Sequence, residues 1–306
     1  QEESMGKEYD FFKDKGLHNE SIDLGFNHKS GLFVNGGYTR NNHGGWQGDL
    51  TGREKRWHPK DQALMNGMFG FQNRNMNVWY RLDFLDEKIF GPNNGSELQP
   101  EKVSDKDFLT KRYTHQLQSD WKLDNRLDVH AALSYQDYKR RTRTTESDLS
   151  TGEKWLSSAE ASQDITQYKA WIARATVAWN IAPEFSVQPG VEYQWTQGEG
   201  GRIDGTPKVS DLAFFLSAEY KPWEWLSLRP GVRTFIVADY DAPIAIPSVL
   251  TKFKLTKHMD LRLSYAYGFR SPTLQELYFS FHNDNHDIDG NPDLKAEYSH
   301  NITGSV

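Results

Sequence analysis

Apolar and polar residues alternate with a period of two along most of this chain. In 260–270, Leu261, Leu263, Tyr265, Tyr267 and Phe269 fall on one side, and Arg262, Ser264, Ala266, Gly268 and Arg270 on the other. In 185–196, Val187, Val191, Tyr193 and Trp195 alternate with Gln188, Glu192, Gln194 and Thr196. In 209–220, Leu212, Phe214, Leu216 and Tyr220 alternate with Ser217 and Glu219. The same rhythm runs through 20–27, 77–84, 126–136, 171–180 and 226–236. Such alternation predicts β-strands with one apolar and one polar face. No helical period lasts beyond a turn or two. The class is all-β.

The connections between these strands alternate in length. Short turns are expected at 28–31, 72–76, 123–125, 181–184, 221–225 and 257–259, and long polar segments at 42–60, 89–108, 144–163, 200–208 and 271–295; only 239–244 is short where a long one is due. This rhythm gives about thirteen antiparallel strands of roughly 9–15 residues, longer than the usual globular strand. Tight turns at one end and long loops at the other are the pattern of an antiparallel transmembrane β-barrel. A soluble sandwich also alternates, but it turns its apolar faces into a closed core. Here the polar faces are rich in Arg, Glu and Gln. Aromatics such as Tyr38, Trp46, Trp57, Trp79, Tyr80, Trp121, Trp171, Trp179, Trp195, Trp223 and Trp225 collect near strand ends, as membrane-interface girdles require.

Composition sharpens this picture. The 306 residues have a mean hydropathy of −0.77, low enough to suggest disorder, yet they include 10 Trp, 14 Tyr and 17 Phe. Disordered chains are poor in such rings; a barrel with a wet lumen and solvated loops reconciles the two. No apolar stretch is long enough for a transmembrane helix, and no basic-then-apolar leader opens the chain. Zero cysteines exclude disulfides, thiolate metal sites and Cys nucleophiles. A net charge of −6 gives no electrostatic footprint for nucleic acid. No GxSxG, HExxH or phosphate-binding glycine loop is present. The carboxylate pairs Asp148/Glu153 and Glu160/Asp164 lie in or beside a polar loop. No enzyme is expected. Arg126, Arg174, Arg229, Arg233, Arg262 and Arg270 share the polar faces with Asp128, Glu192 and Glu219, which predicts ion pairs rather than a charge-selective channel.

At 269–294 the sequence becomes specific. It reads Phe269-Arg270-Ser271-Pro272, runs through Thr-Leu-Gln-Glu-Leu-Tyr to Tyr278, and resumes with Asn291-Pro292-Asp293-Leu294 before Lys-Ala-Glu. This resembles the paired FRAP and NPNL boxes of TonB-dependent outer-membrane receptors, in particular the haem receptors, with Ser271 and Asp293 departing from the usual Ala and Asn. The resemblance implies a barrel of 22 strands, of which about thirteen would be present, so that 1–306 is a partial barrel domain cut from the middle of the barrel, without the plug. It implies TonB-dependent uptake of haem, or of haem taken from a haem protein, with the TonB complex, outer-membrane lipid and the ligand as partners and room for a surface lipoprotein. A siderophore or cobalamin is the alternative ligand, and a passive porin or structural barrel ranks lower.

The loop between the boxes carries the candidate chemistry. The resemblance implies that a histidine there supplies one axial haem ligand: His282, ten residues past Pro272, or else His286. Neutral imidazole suits haem iron, and Tyr278, Phe279 and Phe281 could shape an apolar side. His43 and His58, on a long loop at the same end, are distant second candidates. Asn285, Asp287, Asp289 and Gly290 nearly spell a calcium-binding EF-hand, but the closing Glu297 is one residue late and no helices flank it, so the match reads as false. A looser calcium site on loop carboxylates stays open, as in the cobalamin receptors of this class.

Overall fold

The computed structural model describes residues 16–159, 161–237, 242–283 and 286–306. Its strands are β1 (Leu17–Asn27), β2 (Leu32–His43), β3 (Lys60–Gln72), β4 (Met76–Gly91), β5 (Lys102–Lys122), β6 (Leu127–Asp148), the short β7 (Lys154–Leu156), β8 (Ile165–Ala182) and β9 (Phe185–Glu199). They continue with β10 (Lys208–Trp223), β11 (Leu226–Val237), β12 (Ile246–Lys254) and β13 (Asp260–Arg270). A one-turn helix α1 (Leu274–Tyr278), a hairpin of β14 (Ser280–Asn283) and β15 (His286–Asp289), and β16 (Glu297–Ser305) complete the chain.

Thirteen strands form one antiparallel meander in which each pairs with its neighbour in sequence, from β1 to β13 and then β16, with β7 attached only to β6. This matches the expected count. Strand lengths differ from expectation: β5 spans 21 residues and β6 22. Their polar ends look like loop in sequence, because the period of two fades outside the bilayer, yet the backbone ladder continues in water. Lys102↔Asp148 and Asp105↔Thr145 are still in register.

Register sorts the two faces. One lateral row runs Leu117–Leu133–Ala173–Tyr193–Leu212–Ile236 across six strands; the next residues form the row Gln118–Ala132–Arg174–Glu192–Ala213–Phe235 on the other side. Leu117, Leu133, Tyr193, Ile236, Phe214, Leu216 and Leu263 are exposed, and Val187, Val191, Leu261 and Tyr265 share their face half-covered. Among the described residues no dry core lies beneath that wall, which speaks against a sandwich and leaves lipid as its natural solvent.

Aromatic contacts mark two levels on this wall. Near the long-loop end, Tyr113 packs on Phe84 at 4.7 Å, and His115, Tyr135 and Trp171 follow one another at 5.9 and 4.4 Å. At the short-turn end, Trp223 stacks on Trp225 at 5.2 Å, and Trp225 on Phe253 at 6.2 Å. Three expected girdle members sit elsewhere. Trp46 and Trp57 pair with each other in the β2–β3 loop, and Trp79 lies opposite Gln118 on the lumen face. Across the lumen wall, Glu192 is 3% exposed between Arg174 and Arg233, Glu219 meets Arg229 and Lys221, and Asp260 meets Lys252. The mixed signs therefore neutralise one another within the wall.

Candidate ligand-binding site at the loop end

β13 ends at Arg270, two residues before Pro272, whose ring cannot continue the ladder. Thr273 then starts α1 with a capping box: its Oγ1 accepts the Glu276 N–H at 3.2 Å, and the Glu276 carboxylate accepts the Thr273 N–H at 2.7 Å. Arg270 joins the two sequence boxes. Its guanidinium donates to Glu276 at 3.0 and 3.1 Å and to Glu297 at 2.7 and 2.9 Å. These contacts and the Thr273 donors hold the Glu276 carboxyl down at about 2. On the return side, the Asp293 N–H donates to Asn291 Oδ1 at 2.9 Å, so Asn291 closes its own turn ahead of β16. Gly290 has no room for a side chain: a Cβ there would lie 2.7 Å from the Leu277 carbonyl and the Phe279 nitrogen.

The loop folds onto its neighbour rather than standing in solvent. Phe279 bridges Ile203 in the β9–β10 loop, the Ser280 N–H donates to the Arg202 carbonyl at 3.1 Å, and the Asp204 N–H to the Tyr278 carbonyl at 3.0 Å. Ile203, Leu274, Leu277 and Ala296 make up most of the buried apolar residues among those described. The closed core of this chain is thus at its mouth.

Behind the loop lies a cavity of about 900 Å³, walled by the lumen faces of β5, β6 and β8 and by Arg202, Gln275, Ser280, Phe281 and His282. Lys106, Arg140 and Arg202 supply positive charge, Glu146 and Asp164 negative charge, and Phe108, Tyr138, Tyr168 and Phe281 supply rings. Arg140 stands over Phe108 at 4.5 Å and Arg202 over Phe281 at 4.4 Å. Cation and ring are presented together on both sides of the space.

His282 is held by both ring nitrogens. Nδ1 meets Asp287, while Nε2 lies 3.0 Å from Asp289 Oδ1 and 3.1 Å from Ser280 Oγ. The hydrogen bond to Asp287, with the Asp289 charge, raises the imidazole pKa above its ordinary value. A metal bound at either ring nitrogen would take the place of the proton that these carboxylates hold there.

Residues 179–306 match the family described as TonB dependent receptor-like, beta-barrel. Over those residues the chain is similar to a TonB-dependent receptor β-barrel. No curated protein matches the chain. Among solved structures, the siderophore receptor PirA of Pseudomonas aeruginosa superposes with a TM-score of 0.69 at 12% identity, over 94% of this chain and 48% of its own. A mutant of the ferric enterobactin receptor PfeA from the same species gives 0.65 at 14%, over 96% and 48%. The outer-membrane transporter YddB of Escherichia coli gives 0.63 at 12%, over 84% and 39%. The chain therefore spans about half the length, or less, of the receptors it resembles, with their fold across nearly all of its residues. The matched family is one of outer-membrane transport receptors, and what the chain shares with these structures is the all-β barrel fold.

Within this barrel wall the expected site residues divide. Phe281 and His282 reach the cavity wall. Tyr278 and Phe279 are engaged through their backbones with the β9–β10 loop and do not line it. The side chain of His286, and Asn285, lie outside the described residues, as does Glu160. Of the carboxylates, Asp148 caps its own turn through Ser150 and Thr151, and Asp164 accepts the Gly201 N–H at 2.6 Å. Asp287 and Asp289 flank His282 on a β-hairpin, not on a loop wound around calcium. His43 and His58 share a separate shallow pocket with Trp57. Helix α1, Arg140 and Arg202 were not foreseen. The Thr-x-x-Glu box at 273–276 signals the helix; nothing local marks the two arginines, because register and loop folding bring them to the cavity.

Proposed function

We propose that this chain is part of a TonB-dependent uptake receptor that captures an anionic metal chelate of the siderophore type at the loop end and passes it across the outer membrane. The observation that carries the reading is the cavity in which Arg140 and Arg202 lie over Phe108 and Phe281. Siderophore complexes of iron are compact and often anionic, and many present aromatic rings. Guanidinium groups mounted on rings offer such a ligand charge and stacking together. The salt-bridged lumen wall below gives no fixed single-sign path. That favours gated passage driven by the TonB complex over open diffusion. The likeness to PirA and PfeA supports the same ligand class.

Haem is the second reading. It rests on the box resemblance and on the place of Phe281 and His282 in the cavity wall, with His286 as the substitute ligand. One experiment separates the two readings: tryptophan quenching of the full-length receptor by ferric catecholate, ferric hydroxamate and haem. A ferric chelate should bind, and Arg140→Ala with Arg202→Ala should weaken it at least about tenfold, the loss of roughly 1.4 kcal/mol. Haem binding with a Soret shift that disappears in the His282→Ala/His286→Ala double variant would replace the chelate reading. Binding of none of the three would overturn both.

A further inference from the structure

The β14–β15 hairpin has a polar face whose Ser280 and His282 reach the cavity wall and whose Asp287 and Asp289 the chelate reading does not use. In its register Ser280 stands opposite Asp289 and His282 opposite Asp287, so four side chains with donor atoms project from one side, while Phe281 and Ile288 project from the other. One donor atom from each of His282, Asp287 and Asp289 can be chosen so that all lie within 4.8 Å of one another. The spacings go further than proximity. Two ligands about 2.1 Å from one metal are themselves about 3.0 Å apart at right angles and about 3.4 Å apart in a tetrahedron. His282 Nε2 lies 3.0 Å from Asp289 Oδ1 and 3.1 Å from Ser280 Oγ. Asp287 meets the other nitrogen, Nδ1, the position from which a carboxylate fixes the tautomer and orientation of a metal-bound imidazole.

A second observation is energetic. The hairpin has two strands of four residues and pairs with no other strand among the described residues, and His282, Asp287 and Asp289 are exposed. A two-stranded ribbon of this size is marginal in water. Among the described residues no Lys or Arg forms an ion pair with Asp287 or Asp289, so their two negative charges face one imidazole. A divalent cation would neutralise that excess and tie the strands together at one point.

We propose that the hairpin holds a divalent transition-metal ion of the zinc class, bound by His282 Nε2 and Asp289 with Ser280 alongside, and that Asp287 is a positioning residue acting through Nδ1. An imidazole with a carboxylate suits borderline ions over calcium, which prefers oxygen ligands alone. The remaining coordination positions are open to water on the exposed face. The site is a clip on the loop that walls the cavity, separate from the chelate cargo, and does not depend on the identity of that cargo.

The test is calorimetric titration of the full-length, chelator-treated receptor with zinc chloride alone, repeated with calcium chloride. One zinc equivalent should bind to the unaltered protein, and His282→Asn and Asp289→Asn should each weaken it more than about 100-fold, beyond the loss typical of an outer-sphere partner. Asp287→Asn should weaken it by about 10–100-fold, and Asp287→Glu should restore it. Bound cobalt should show visible absorption bands that His282→Asn removes. Zinc binding unchanged in His282→Asn, no zinc binding at all, or preference for calcium would overturn the proposal. Unchanged binding of the ferric chelate in Asp287→Asn and Asp289→Asn, whose side chains do not line the cavity, keeps the two readings distinguishable.

Discussion

Replacing Leu117 by arginine puts a charge into the wall that the register assigns to lipid. Leu117 lies on β5 with Trp121 and Tyr113 four residues away on either side of it on the same face, and all three are exposed. At about 3.3 Å per residue and a tilt of about 40°, four residues correspond to roughly 10 Å of height. Leu117 is therefore close to the middle of an apolar band about 25 Å tall. Arginine at that depth costs about 2–4 kcal/mol, or roughly 30- to 900-fold in the folding equilibrium. The adjacent Gln118 faces the lumen and already donates to Asp120 at 3.0 Å. Gln118→Arg keeps that acceptor and should cost less than about 1 kcal/mol. The assay is urea-dependent folding of the intact receptor into phosphatidylcholine vesicles, followed by tryptophan fluorescence. Equal losses for the two variants, or a larger loss for Gln118→Arg, would refute the assignment of faces.

Two further outcomes follow from the loop end. The Glu276 pKa is lowered to about 2 from 4.5, so the stabilisation from its Arg270 clasp is complete above the ordinary carboxylate range and disappears as pH falls through about 2. Carbon-13 titration of the carboxyl should place its midpoint near the lower value, and Arg270→Ala should raise it; a midpoint near 4.5 in the unaltered protein would contradict the clasp. Because the chain has no cysteine, single substitutions report topology cleanly. On intact cells Lys154→Cys should react with an impermeant maleimide, and Asn125→Cys should react only after permeabilisation; labelling of both from outside would reverse the reading of the two ends.

The sequence alone determined the wall. Its period of two is a local property, because successive side chains on any extended backbone point to opposite sides. The strands, their number, the long and short connections and the two faces were thus readable from residues such as Leu261 to Arg270. Charge pairing was partly readable: Arg174, Arg233 and Glu192 are all on polar faces, but only the register across the four strands β8 to β11 puts them in contact. The mouth was decided by tertiary structure. Arg270, Glu276 and Glu297 meet because a loop of more than twenty residues returns beside its own start, and a carboxylate distant in sequence carries no local signal of that return. Likewise Phe281 and His282 were legible as candidate ligand contacts. Their partners Arg140, Arg202 and Phe108 come from other strands and another loop, so only the fold could bring them to one cavity.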